Sequence, residues 1–282
     1  MTDDHSLLQL QLHAARARRN VLRMLQANPS GHLGGAMSAI DMITAVYFHA
    51  MRPSSGPNDP GRDRFLLSAG HKAMGQYAVL AERGIIDASV LDQYGALSSP
   101  VPGHPNMSLL TGIEANTGAL GHGLPLACGM ALGLRHEHPE ARIFVMMGDG
   151  ELPEGSNWEG AAMAAHHRLD SIVVFVDLNG MQISGTTDEV MNMGSVTDKF
   201  RAFGWATAEI DGHDMAQITA ALDRCPLEPG KPSVIVARTT KGKGVTSIQG
   251  TVPSHYWKPS PDELAVAVAE SDAVIASLEE AR

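Results

Sequence analysis

A carboxylate between two glycines, Gly148-Asp149-Gly150, is followed thirty positions after the acid by the amide of Asn179. One carboxylate and one amide oxygen make a hard-oxygen pair suited to Mg²⁺, which keeps few protein ligands and takes the rest from phosphate and water. Glycines beside the acid let backbone approach a diphosphate, and a helix behind it presents free N–H groups to anions. For Asp149 and Asn179 to meet, the elements carrying them must be neighbours. The apolar run 143–147 reads as a buried parallel strand, 154–168 as a helix and 171–176 as a second strand. A crossover of that length forces the strands parallel and adjacent or nearly so, which brings both residues out on one edge. A Gly-Asp-Gly triplet alone is also an ordinary strand-end turn; the spacing to Asn179 favours the metal reading.

The same alternation continues along the chain. Helices are expected over 7–26, stopped by Asn28-Pro29-Ser30-Gly31, and over 36–50. A strand at 64–68 exits through Ala69-Gly70-His71, then helices at 74–83 and 89–94 precede a Pro-containing loop at 98–108. The Gly-rich stretch 116–122 opens a helix reaching about 136, and 184–194 reads as a polar loop before a short helix capped by Ser195 or Thr197. A strand at 206–210, a helix capped by Asp214, a strand at 233–238 and a final helix capped by Ser260 complete the series. Strands alternating with helices predict an α/β fold: a doubly wound, mainly parallel sheet with helices on both faces and ligands at the strands' carboxyl edge. No repeat or linker divides residues 1–282, which read as one domain.

Composition narrows the partners. A formal net charge of −10 argues against a nucleic-acid surface, where a basic patch supplies most of the affinity. Two cysteines far apart, Cys128 and Cys225, have no metal-ligand spacing and fit a reducing cytoplasm. No apolar run reaches membrane-spanning length, and the acidic N-terminus lacks the positive charge of a signal peptide. Thirteen histidines is a high count, and most fall in loops rather than on polar helix faces, at the ends of elements where such a sheet places its ligands.

The Gly-Asp-Gly triplet with Glu151, Glu154 and Trp158-Glu159, then Asp177-Leu178-Asn179-Gly180-Met181, resembles the thiamine-diphosphate signature of transketolases. The resemblance implies that Asp149, Asn179 and the main-chain oxygen of Met181 hold Mg²⁺ (Ca²⁺ or Mn²⁺ in its place) on the cofactor's diphosphate, between the backbones of Gly148 and Gly150. It places Ile183 beneath the thiazolium ring. Gly31-His32-Leu33-Gly34-Gly35 and Pro102-Gly103-His104-Pro105 resemble loops whose histidines face the sugar, while Ser68-Ala69-Gly70-His71 resembles a loop at the diphosphate. Thr240-Lys241-Gly242-Lys243-Gly244, with His255 fourteen residues after the lysine, is similar to a lysine–histidine pair at diphosphate and substrate. Ketol transfer calls for proton donors and acceptors near neutral pH, which suits histidine. The segment 114–121 implies backbone contacts from Gly118 and Leu120 to the aminopyrimidine, and Glu154 and Glu159 resemble acids that link two active sites across a subunit interface. The remaining histidines, His213 among them, read as structural or surface.

The resemblance covers about Leu7 to the last helix but only part of a usual transketolase. The pyrimidine-binding domain, with its catalytic glutamate, and the C-terminal domain are expected on a partner chain, in an α2β2 assembly acting on sugars. Two rival readings are another thiamine-diphosphate C–C ligase or lyase, such as a deoxyxylulose-phosphate-synthase-like enzyme, and a non-catalytic cofactor-binding module. Two departures stand out: Ser254-His255-Tyr256-Trp257 replaces the family's usual Trp-His-Gly, and His122 stands where glutamine is common. Aromatic bulk beside a substrate-facing histidine leaves the sugar itself unassigned.

Overall fold

The computed structural model describes residues 4–282. Five strands, β1 (Arg64–Leu67), β2 (Ile143–Gly148), β3 (Ile172–Leu178), β4 (Ala206–Asp211) and β5 (Ser233–Arg238), form one sheet in the order β1-β2-β3-β5-β4. Every pairing is parallel, with Gly148 opposite Asp177 and Asp177 opposite Ala237. All five carboxyl ends therefore share one edge.

The two-residue period of the strands sorts their side chains into two cores. Phe65 and Leu67, Phe144 and Met146, Val173 and Phe175, and Ile235 and Ala237 face one side. There they meet α1 (Asp4–Ala27), α2 (Leu33–Ala45), α3 (Ala73–Glu82), α8 (Met215–Asp223) and α9 (Pro261–Glu280). Leu66, Ile143, Val145, Met147, Ile172, Val174, Val176, Val234 and Val236 face the other, against α4 (Gly123–Leu134), α5 (Gly155–His166) and α7 (Val196–Ala202). Strands buried on both faces explain the unbroken apolar runs in the sequence. Right-handed crossovers explain the placement of helices. The chain moves one way from β1 to β4 with α4, α5 and α7 on one face, and then turns back to insert β5, which sends α8 to the opposite face.

All thirteen residues of α2 are buried, so it is a core helix rather than an amphipathic surface one. It begins at Leu33, three residues before the expected start, because Gly34 and Gly35 serve close packing instead of ending a loop. A Cβ on Gly34 would lie 2.6 Å from the Ser254 carbonyl oxygen, and one on Gly35 would lie 3.1 Å from the Lys72 stem. The stretch 184–194 is not wholly loop: α6 (Thr187–Met191) forms there, because Thr186 and Glu189 make a reciprocal capping box. Ser195, not Thr197, caps α7. Among the described residues no helix is long and apolar enough to cross a membrane.

Phe175 is 1% exposed on the sheet face toward α2. Phe175→Ala should cost about 3–5 kcal/mol of stability, read as a lower denaturant midpoint with an unchanged slope.

Candidate active site

Four strand exits and one helix start meet at the carboxyl edge. After β1 comes the one-turn helix Gly70–Lys72, after β2 the turn Asp149–Glu151, after β3 the segment 179–183, and after β5 the segment 239–244. Facing them, His32 stands at the N-terminus of α2. The antiparallel bridge between Gly31 and Trp257 straps the segment around His255 to the His32 loop, with Trp257 N–H donating to Gly31 at 3.1 Å and Gly31 N–H to Trp257 at 3.3 Å.

The four histidines taken from separate loops form one cluster. The His32 ring centroid lies 5.7 Å from His71, 5.8 Å from His104 and 5.4 Å from His255, and His71 lies 5.5 Å from His255. Tyr256 adds a ring 4.8 Å from His32 and accepts a 2.8 Å hydrogen bond from the Ser30 hydroxyl. Gly118, at φ +149°, lets the 116–122 loop pass His104, whose ring would lie 3.0 Å from a Cβ there. Burial and the neighbouring charge of His104 hold His32 below its ordinary pKa. Burial and Lys72 depress His71, and burial and Lys241 bring His255 to about 4. His255 Nδ1 is buried without a hydrogen-bond partner.

At the same edge lies the acid–amide pair. Asp149 is 4% exposed; its carboxylate accepts from Gly150 N–H at 2.8 Å and from Gly180 N–H at 2.6 Å, which ties the β2 exit to the β3 exit. Burial and then the charge of Asp177 raise its pKa to about 6. Asn179 Oδ1 accepts from Met181 N–H at 3.2 Å, and the Met181 carbonyl accepts from the Lys241 ammonium at 3.1 Å. Burial and Lys72 lower Lys241 to about 8. Among the described residues no group of three or more His, Cys, Asp or Glu side chains could hold a metal, so the donors here are one carboxylate, one amide oxygen and one carbonyl. This set fits an Mg²⁺ ion that completes its shell with diphosphate and water. A carboxylate raised by burial and then by a like charge, a carbonyl already holding a cation, and an orphaned imidazole nitrogen fit an anionic cofactor carried by a divalent ion.

Other expected contacts sit farther out. Ile183 is 72% exposed on the segment after β3, and Leu120 is half-buried with its carbonyl beside the His122 ring at 3.0 Å. Glu154 is exposed at the start of α5, where its stem would lie 2.6 Å from a Cβ on Gly121. Glu159 is exposed on the same helix.

Three groups hold the site together in ways that the sequence reading did not assign, although Glu151 and Asp177 stood in its signature. Lys72, 2% exposed, pairs with Asp177, 0% exposed. Glu151, 1% exposed, accepts from the Ser68 hydroxyl, from Gly121 N–H at 2.9 Å and from Gly148 N–H at 3.2 Å, binding three loops together. Of the two readings of His213, structural or surface, the structure bears out the first: its Nδ1 meets Asp41 at 2.8 Å and its Nε2 accepts from Thr240 N–H at 2.8 Å, anchoring the backbone beside Lys241. The available signals were an acid inside an apolar strand and a lysine directly after a site histidine, since buried charges require partners.

The sequence profile described as "Transketolase, thiamine diphosphate binding domain" matches residues 11–267. An apulose-4-phosphate transketolase subunit from Phocaeicola vulgatus is 37% identical over 271 residues, covering 96% of each chain. "6-deoxy-6-sulfo-D-fructose transketolase subunit SqwG" of a Clostridium species is 38% identical over 264 residues, covering 93% of this chain and 96% of that one. Among solved structures, the transketolase from Leishmania mexicana superposes with a TM-score of 0.81 at 27% identity. It matches 96% of this chain, which spans 46% of that protein.

Between pH 6.5 and about 4 the unfolded chain protonates His255 while the folded chain does not, so His255 contributes a loss of stability as pH drops through that window, against an opposite contribution from Asp149, whose folded pKa is raised. His255→Asn should flatten this part of the profile, measured as thermal midpoint against pH.

Proposed function

The chain belongs to the transketolase family through its thiamine-diphosphate-binding domain, and we propose that it is the Mg²⁺- and thiamine-diphosphate-binding subunit of a two-component transketolase. With a partner subunit carrying the pyrimidine-binding domain and a catalytic glutamate, in an α2β2 assembly in the cytoplasm, it transfers a two-carbon ketol unit. The donor is a ketose, taken as a sugar phosphate, and the acceptor an aldose or other aldehyde. The observation that carries the reading is that the same sheet edge gathers four histidine rings and ties together the segments of Asp149, Asn179 and Lys241. Coverage of 96% of a relative named as a subunit supports the two-chain organisation.

In this reading Asp149, Asn179 and the Met181 carbonyl hold Mg²⁺, with Ca²⁺ or Mn²⁺ able to replace it. His71, Lys241 and His255, with the backbones of Gly148 and Gly150, address the diphosphate. Gly118 and Leu120 present backbone to the aminopyrimidine, Ile183 lies under the thiazolium, and Glu154 joins the two sites across the subunit interface. Thiamine diphosphate, when bound, supplies the electron sink that stabilises a carbanion. His32, His104 and His255 move protons at the sugar's carbonyl oxygen and hydroxyls. The low pKa values of His32 and His255 keep both rings neutral near pH 7, each with one nitrogen to accept a proton and one to donate a hydrogen bond. The rings of His71 and Tyr256 both lie against His32.

Asp149→Ala should abolish Mg²⁺-dependent thiamine-diphosphate binding in titration calorimetry; full retention would refute the metal assignment. The chain assayed alone with xylulose 5-phosphate and an aldose should be silent, and adding the partner subunit should restore ketol transfer. Activity with pyruvate but not with the ketose would favour the deoxyxylulose-phosphate-synthase-like reading, and an inactive assembled complex the binding module.

A further inference from the structure

Asp177 lies at the centre of the sheet edge and is fully buried. Its Oδ2 accepts from the Lys72 ammonium, from the Ser38 hydroxyl at 2.7 Å and from Asn179 Nδ2 at 3.1 Å; its Oδ1 accepts from the Thr239 hydroxyl. These donors come from the β1 exit, α2, the β3 exit and the β5 exit, so the carboxylate can adopt one rotamer only. Lys72 reaches it because Gly35 and Gly148 leave room: Cβ atoms there would lie 3.1 Å and 3.2 Å from the lysine side chain.

The orientation of Asn179 follows. The two ends of an amide have nearly the same shape and differ only in donating or accepting. Facing an ionised carboxylate, the amide turns its NH₂ group toward Asp177 and its Oδ1 away from it. Oδ1 accepts one hydrogen bond, from Met181 N–H, and keeps a second lone pair. We propose that the buried Lys72–Asp177 pair is a positioning device that presents the Asn179 amide oxygen, rather than its nitrogen, to the divalent cation. This rests on the assignment of Asn179 as a metal ligand made above. In this reading Lys72 and Asp177 are not themselves ligands and act through Asn179, which donates to the Asp177 carboxylate.

The test uses the full chain co-expressed with its partner subunit and reads thiamine-diphosphate binding by tryptophan fluorescence while Mg²⁺ is titrated. Removing one charge alone risks unfolding, because it strands the other in the interior. The informative variant is therefore Lys72→Met/Asp177→Asn, which removes both charges and leaves residue 177 able to present either end of an amide to Asn179. The half-saturating Mg²⁺ concentration should rise about 10- to 100-fold, with the binding amplitude at saturating Mg²⁺ and the thermal midpoint close to wild type. Lys72→Arg, which keeps the carboxylate paired, should lie nearer to wild type. An unchanged half-saturating Mg²⁺ concentration in the folded double variant overturns the proposal, as does a loss of amplitude with no shift in midpoint concentration. If wild type binds thiamine diphosphate without any dependence on Mg²⁺, the metal assignment falls and this inference with it; wild-type dependence with an unaffected variant removes the inference alone.

Discussion

Two opposite charges, Lys72 and Asp177, are buried together where the exits of β1, β2, β3 and β5 and the start of α2 converge. Placing ions in an interior costs several kcal/mol each unless partners repay it (roughly, after relaxation). Here four donors satisfy one carboxylate, and the arrangement exists only while all the contributing elements are in place. The pair is thus a condition on the whole edge rather than a local bond. Asp149 lies close enough for Asp177 to raise its pKa, and Lys241 close enough for Lys72 to lower its own. To the shifts that burial itself imposes on Asp149 and Lys241, the buried pair adds its own charges.

Around this centre the same solution recurs: a buried polar side chain ties segments that the sheet alone would leave independent. Glu151 joins the exits of β1 and β2 to the 116–122 loop, and Asp41 joins Arg18 on α1 to His213, which holds Thr240. Burial would raise the Asp41 pKa, but Arg18 and His213 outweigh it and bring the group to about 2. Loops fixed in this manner hold the histidine cluster at set distances.

Much of this was legible in the chain. The strand–helix–strand unit carrying Asp149 and Asn179, the parallel sheet, and the gathering of His32, His71, His104 and His255 follow from periodicity, turn residues and the resemblance of their loops. The start of α2 was misread because glycine signals both a break and a close approach; only the neighbouring Ser254 and Lys72 decide between them. The 184–194 stretch looked like loop because its capping box supports just five residues of helix, too few for a hydrophobic period to register. His213 could be read only as structural or surface because its partners lie 172 and 27 positions away, Asp41 and Thr240, and such pairings leave no local trace.

The order of strands carries a consequence for how the chain is made. Among the described residues β4 pairs with β5 alone, and β5 fills an interior slot between β3 and β4. During synthesis β1, β2 and β3 can assemble through their helical crossovers while β4 waits without a strand to join. The slot closes only when residues 233–238 arrive, and Thr239, Lys241 and His255 follow them. The cofactor edge is therefore the last part of the sheet to be completed, so a nascent chain on the ribosome carries most of its core before it can present a finished site.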